Sequence, residues 1–186
     1  MNQLAKVTSL VMGGGFCFFL SACVVSPAHH TSEQPVSVTA SGGNVAQQAE
    51  HLLVTAGQSM PLKQVTTVDG TLIRLDEIGK KKLLVLFATW CSDSQRAMKA
   101  LNQSPLLEDN QITLVAIARE QSVAEITKWK TEQNMRIAMV ADTDRSIYRL
   151  FANSGIPRFI LVDENNKVVK TVLAESDNPM ALIHWE

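Results

Sequence analysis

An α/β sandwich around a central sheet is the fold predicted for residues 59–186, and three features of the chain predict it. Two continuous apolar runs, LLVLFA at 83–88 and ITLVAI at 112–117, are of the kind that a sheet buries on both faces. Segments with helical spacing alternate with these runs, which calls for strands joined by crossover helices. Turn signals near both ends of the domain, Asp69-Gly70 and Glu164-Asn165-Asn166, add a hairpin at each.

The elements follow in order. Leu62–Val68 and Thr71–Leu75 pair across Asp69-Gly70 as an amino-terminal β-hairpin. Lys80, Lys81 and Lys82 read as a solvated entry to the 83–88 strand. A helix from Cys91 to Asn102 turns Ala97, Met98 and Leu101 inward. The 112–117 strand is followed by Ser122-x-x-Glu125, a capping box that opens a helix with Val123, Ile126 and Trp129 on one side. RIAMV, 136–140, is a third central strand. Asp142 or Thr143 then caps a helix that carries Ile147, Leu150 and Phe151. RFILV, 158–162, and KVVKTVL, 167–173, form the closing hairpin.

The amino terminus reads as an address. Lys6 precedes an apolar run, Leu10 to Leu20, that is too short to span a bilayer as a helix. Small residues follow, which together make a secretion signal over residues 1–22. Leu20-Ser21-Ala22-Cys23 resembles the bacterial lipobox, and the resemblance implies that Cys23 is lipidated and becomes the first residue of the mature chain. Val24, rather than Asp, implies the outer membrane, facing the periplasm, as the place of that anchor. Residues 23–58, rich at first in Ser, Thr, Gln, Gly and Pro, are expected to form a flexible tether, with a short helix over 44–55. His29-His30 belongs to that tether, since no third ligand stands at metal-binding spacing.

Composition narrows the function. Lys and Arg number 17 against 18 Asp and Glu, so no basic excess exists to follow a phosphate backbone, and nucleic acid is not an expected partner. Three cysteines are too few for a disulfide scaffold, and once the signal and the lipid claim two of them, only Cys91 remains as a thiol. A single thiol also argues against a copper-binding or other metal role. No cofactor is implied. Trp129 and Trp185 read as packing anchors, and His51 and His184 stand alone in the sequence.

The chemistry concentrates at Phe87-Ala88-Thr89-Trp90-Cys91-Ser92-Asp93-Ser94, where a buried strand runs directly into a helix with Cys91 at the junction. Backbone N–H groups at a helix N-terminus favour negative charge, and the thiolate is the reactive form of cysteine. A second unusual segment is Ser154-Gly155-Ile156-Pro157, before the RFILV strand. Proline can begin a strand but not sit within a central one, and the bond before it can be cis or trans.

These residues, with Val68-Asp69-Gly70, LLVLFATWC, VADTDRSIYRLF and RFILVDENNKVV, resemble the TlpA/ResA-type thioredoxin-like family over about residues 60–173. The resemblance implies a thioredoxin-like sandwich with a mixed central sheet flanked by helices, and membrane-anchored extracytoplasmic thiol–disulfide chemistry. It assigns the attacking thiol and its neighbour to Cys91 and Trp90, and a cis loop that holds substrate backbone to Ile156 and Pro157. The departures matter as much. The family's second cysteine is Ser94 here, which cannot resolve a mixed disulfide but can donate a hydrogen bond to the Cys91 thiolate. Arg158 follows the proline where the family has Thr, and would favour the thiolate if it reached it, whereas Asp93 would oppose it. The family's acidic residue beside the thiol falls near Glu120, although strict spacing points to Gln121.

The expected function is thiol–disulfide exchange by a lipid-anchored envelope protein with one thiol, acting on envelope proteins that carry disulfides or oxidised thiols and released by an external thiol reductant. The alternative is a non-enzymatic docking or assembly lipoprotein that keeps the fold without redox activity. A one-Cys peroxidase is the lesser alternative. Such peroxidases resemble Pro-x-x-x-Thr-x-x-Cys, but here Thr89 stands two residues before Cys91 and Leu84 seven before it.

Overall fold

The computed structural model describes residues 52–186. The signal segment, Cys23, the His pair, His51 and most of the expected 44–55 helix lie outside the described residues.

Five strands form the main sheet, in the order β5 (Ala138–Asp142), β4 (Ile112–Arg119), β3 (Lys81–Phe87), β6 (Arg158–Val162) and β7 (Val168–Leu173). β3 lies at its centre, parallel to β4, which is parallel to β5. On its other side β3 pairs antiparallel with β6, and β6 pairs antiparallel with β7. The sheet is therefore mixed, as the fold class requires. A separate two-stranded hairpin, β1 (Gln64–Thr66) with β2 (Leu72–Arg74), precedes it. Gly70 has φ +82 in its turn, a left-handed value that glycine adopts without a Cβ penalty.

β3 is apolar from Leu83 to Phe87 because it has a neighbour on each edge and a cover on each face. Leu83, Val85 and Phe87 point to one layer with Ala97, Met98 and Leu101 of α1 (Ser92–Asn102) and Ile126 of α2 (Val123–Glu132). Leu84 and Leu86 point to the other, with Val65, Tyr148 and Phe151. Each fully buried Leu, Val, Ile, Phe or Met among them contributes about 1.5–3 kcal/mol relative to an exposed one. The capping box is formed as expected: the Ser122 hydroxyl accepts from the Glu125 N–H, and the Glu125 carboxylate accepts from the Ser122 N–H at 2.7 Å.

Four expectations need correction. The third central strand begins two residues later than RIAMV suggests, because Met135 and Ile137 are consumed in packing beneath α2's end while pairing with β4 starts at Ala138. The helix expected after Asp142 is a single 3-10 turn, Tyr148–Leu150. Asp142 does sit at its entry, where its carboxylate accepts from the N–H groups of Ile147 and Tyr148 at 3.0 and 2.8 Å. Lys82 is not solvated: it is buried on the Leu84 face, and its ammonium bonds the Glu77 carbonyl and Asn166 Oδ1. Burial holds its pKa below the ordinary lysine value, partly offset by Asp163. Finally, residues 52–58 lie on the domain. Val54 is buried, Leu53 N–H donates to the Phe151 carbonyl at 2.9 Å, and Gly57 N–H to that of Val168 at 2.8 Å. The end of the expected tether is thus part of the folded unit. At the other end, a 3-10 turn, Pro179–Leu182, leads to Trp185, whose indole N–H donates to the Val162 carbonyl at 3.0 Å.

Candidate active site

The carboxyl end of β3 delivers the chain into a turn, closed by Cys91 N–H donating to the Ala88 carbonyl at 3.2 Å. Cys91 is the N-cap of α1, with extended backbone (φ −90, ψ 122), and its carbonyl accepts from Gln95 N–H at 3.0 Å. No side chain caps this helix end, so the first-turn N–H groups face the region of the sulfur. The thiol is partly exposed, and it is the free cysteine of the described residues. Trp90 beside it is 62% exposed.

Across from the thiol runs the Ser154–Pro157 loop. The Ile156–Pro157 bond is cis, one of the two states the sequence left open. Cys91 Sγ lies 3.9 Å from the Ile156 carbonyl oxygen. The fold therefore brings Trp90, Cys91, Ile156 and Pro157 together at one sheet end. Gly155 has φ +87, and a Cβ there would stand 2.6 Å from Leu173 Cδ2. Only glycine fits both the left-handed backbone and that contact.

Two sequence expectations change here. Ser94 is fully buried, and its hydroxyl oxygen accepts from Ala88 N–H at 3.4 Å. It buttresses the β3-to-α1 turn rather than hydrogen-bonding the sulfur. Arg158 is also buried, with its guanidinium donating to the Ser154 carbonyl at 2.9 Å. Its side chain shares the face of Ile160 in the strand alternation, so it supports the loop from beneath. Burial pulls its pKa down from the ordinary arginine value, opposed by Tyr148 and Glu175.

The acidic-residue question is settled by orientation. Glu120 has φ 57 and turns outward, pairing with Arg119 at 3.1 Å and Arg145 at 3.6 Å. Gln121 is the buried residue behind the motif. Its Oε1 accepts from Thr89 N–H at 2.8 Å and its Nε2 donates to Thr89 Oγ1 at 2.6 Å. A neutral amide thus holds the turn that carries Trp90 and Cys91. Asp93 is paired as well: Arg96 donates to its carboxylate at 2.6 Å and to the Glu175 and Ser176 carbonyls at 2.7 and 3.3 Å. The charge within the motif is compensated one helical turn away.

Sequence reasoning missed Tyr148. Its hydroxyl donates to the Gly155 carbonyl at 3.0 Å, and its ring lies under the guanidinium groups of Arg119 and Arg145, at 5.0 and 5.1 Å. Arg119 also lies over Trp90, at 5.9 Å. The signal was a lone tyrosine within a segment otherwise read as an apolar stripe.

A strand-to-helix cysteine facing a cis-proline loop, on a five-stranded mixed sheet with helices, defines a thioredoxin-like protein. Residues 55–181 match the Redoxin family, and the chain belongs to that family. It is 24% identical over 121 residues to the thiol-disulfide oxidoreductase ResA of Bacillus subtilis, covering 64% of this chain and 68% of that protein. Among solved structures it resembles that of a candidate protein disulfide isomerase from Bacteroides thetaiotaomicron, with TM-score 0.65 and 22% identity over 71% of this chain and 87% of that one. A secreted Mycobacterium tuberculosis disulfide oxidoreductase gives TM-score 0.54 and 19% identity over 64% and 95% of the two chains.

Proposed function

We propose that this chain is an extracytoplasmic, lipid-anchored thiol–disulfide exchange protein that works with one thiol. The observation that carries the reading is the partly exposed Cys91 at a helix N-terminus, with its sulfur 3.9 Å from the Ile156 carbonyl next to Pro157. Similarity to thiol-disulfide oxidoreductases supports the same chemistry, and the lipobox-like Leu20–Cys23 supports the anchor, on the outer membrane by Val24.

In the first step the Cys91 thiolate attacks one sulfur of a protein disulfide. A Cys91–substrate disulfide forms, and the other substrate sulfur leaves as a thiolate that takes a proton from solvent. The extended backbone beside that sulfur lies along Ile156 and Pro157, with Trp90 as its apolar neighbour, and Arg158 and Ser94 hold the loop and the turn that receive it. Ser94 supplies no second thiol, so an external thiolate attacks the mixed disulfide. It returns Cys91 as a thiolate and carries the substrate sulfur away in a new disulfide. Envelope proteins with disulfides or oxidised thiols are the substrate class.

The missing second thiol also favours a second reading, a docking lipoprotein without redox activity. Trapping separates the two. Expressed in an envelope, the protein should accumulate mixed-disulfide adducts that reductant releases and that Cys91→Ala abolishes. If the wild-type chain forms no adduct, and a folded Cys91→Ala variant keeps the cellular phenotype, the exchange reading fails and the docking reading stands.

A further inference from the structure

Three successive carbonyls of the loop facing Cys91 each meet a different side chain. Arg158 donates to Ser154, Tyr148 donates to Gly155, and the Cys91 sulfur lies at Ile156. The middle contact is tied to the opposite wall of the site. Tyr148 stacks under Arg119, and Arg119 stacks over Trp90, the residue that precedes the thiol. Both arginines at the Tyr148 ring are anchored by Glu120, and the Tyr148 backbone is fixed by Asp142. A continuous chain of contacts, Trp90–Arg119–Tyr148–Gly155, thus joins the two walls between which a substrate strand would enter.

We infer that Tyr148 is a positioning residue for the exchange reaction: together with Arg119 it sets the distance and orientation of the Ile156 backbone relative to the Cys91 sulfur, so that an extended polypeptide disulfide, but not a small reagent, depends on it. The inference rests on the exchange reading above. The physical ground is that the Tyr148 hydroxyl fixes the carbonyl adjacent to Ile156. A neighbouring peptide unit cannot rotate freely while that bond holds, and attack geometry is sensitive to displacements of about 1 Å. Attack on a small electrophile needs only an accessible sulfur, so it reports the thiol without the loop.

The test compares two probes on the same protein. A fluorescent peptide dimer, two short extended chains joined by one disulfide, reports exchange, and iodoacetamide reports bare thiol reactivity. Tyr148→Phe should slow the peptide reaction about 2- to 10-fold, the range expected for one lost hydrogen bond, while alkylation stays within about twofold, the lower edge of that range. Arg119→Met, at a partly buried side chain, should lower the peptide rate in the same direction and again spare alkylation; Arg119→Lys should recover part of it. Thermal melts establish that each variant is folded. Equal peptide rates in folded Tyr148→Phe and wild type would overturn the positioning role, as would equal losses with both probes. Should Tyr148→Phe fail to fold, the Arg119 variants decide by the same ratio. A wild-type protein that alkylates but never reacts with the peptide disulfide would overturn the exchange reading and this inference with it, an outcome distinct from the others.

Discussion

Replacing Ser94 with Cys places a second sulfur in the first turn of α1, three residues after Cys91. Residues 91 and 94 are three apart at the start of α1, so they share a face of its first turn. The Ser94 oxygen already lies in the turn that presents the thiol, 3.4 Å from Ala88 N–H. A thiol there is a far weaker acceptor for that N–H, and losing the bond costs about 0.5–1.5 kcal/mol. That is tolerable against the 5–15 kcal/mol that holds an ordinary domain. The gain is kinetic. An internal thiol acts at an effective concentration on the order of mM or above. Against an external thiol at about 0.1 mM, Ser94→Cys should clear the Cys91 adduct at least about tenfold faster. The assay is a pulse of disulfide substrate followed by acid quench and a non-reducing gel. The adduct band should fade in the variant, and mass spectrometry should find an intramolecular disulfide joining positions 91 and 94. A folded variant whose adduct persists as in wild type, with both sulfurs titrating as free thiols once released, would show that position 94 does not address Cys91, and the single-thiol account of this site would be wrong.

Further outcomes follow from the same geometry. Gln121→Leu removes the acceptor of the partly buried Thr89 N–H and should lower unfolding free energy by about 0.5–1.5 kcal/mol in a denaturant titration, whereas Gln121→Glu keeps an acceptor and should lose less. Gly155→Ala must hold φ +87 and push aside Leu173, so it should cost at least about 1 kcal/mol and slow peptide exchange more than alkylation. Arg96→Ala leaves the Asp93 carboxylate uncompensated near the thiol and frees the Glu175–Ser176 segment. Because that pair is partly exposed, the electrostatic loss is only about 0.2–1 kcal/mol, read as a modest fall in alkylation rate that added salt reduces. The Glu125 pKa is held below the ordinary glutamate value by the Ser122 hydroxyl and N–H. Its folded-state value is therefore the lower one, so its contribution is complete above the unfolded-state pKa of about 4.3 and is lost as pH falls through the folded value. Glu125→Gln should flatten that acid limb of a stability-against-pH curve.

Much of this is legible in the amino-acid sequence. Continuous apolar runs report a strand covered on both faces, which is why β3 and β4 were clear, and the Ser122–Glu125 spacing reports a helix start through a purely local bond. Cys91 and Pro157 were legible because each breaks a local pattern. What escaped depended on partners far along the chain. Lys82 looks solvated in a run of three lysines, and only the carbonyl of Glu77 and the side chain of Asn166 make its burial possible. Tyr148 has a role because Asp142, Arg119 and Gly155 converge on it. Arg158 reads as a residue that would favour the thiolate if it reached it, yet strand alternation puts its side chain in the layer of Ile160. Residues 52–58 include Leu52, Leu53, Val54 and Ala56, but so short a run shows no period, and their place on the domain comes from the burial of Val54 and from backbone bonds to Phe151 and Val168.

The loss of the second thiol changes what the rest of the site must do. A dithiol site releases its own substrate, so its second sulfur can be buried beneath the first. On the proposed single-thiol reading, the releasing sulfur must arrive from solvent while the substrate is still attached. That demands a Cys91 reachable from a direction the substrate does not fill. The Ile156–Pro157 loop flanks one side of the sulfur, at 3.9 Å. Exposed Ser92 and Gln95 follow it along α1, with the Gln95 side chain folded back onto the Thr89 carbonyl at 2.6 Å. A substrate strand laid along the loop leaves the Ser92 side open to a small thiol. Residues that widen the loop side should therefore alter which substrates are taken, and bulk added at Ser92 should slow release while leaving the first attack alone. Adduct formation and adduct decay, measured separately, distinguish the two sides of one sulfur.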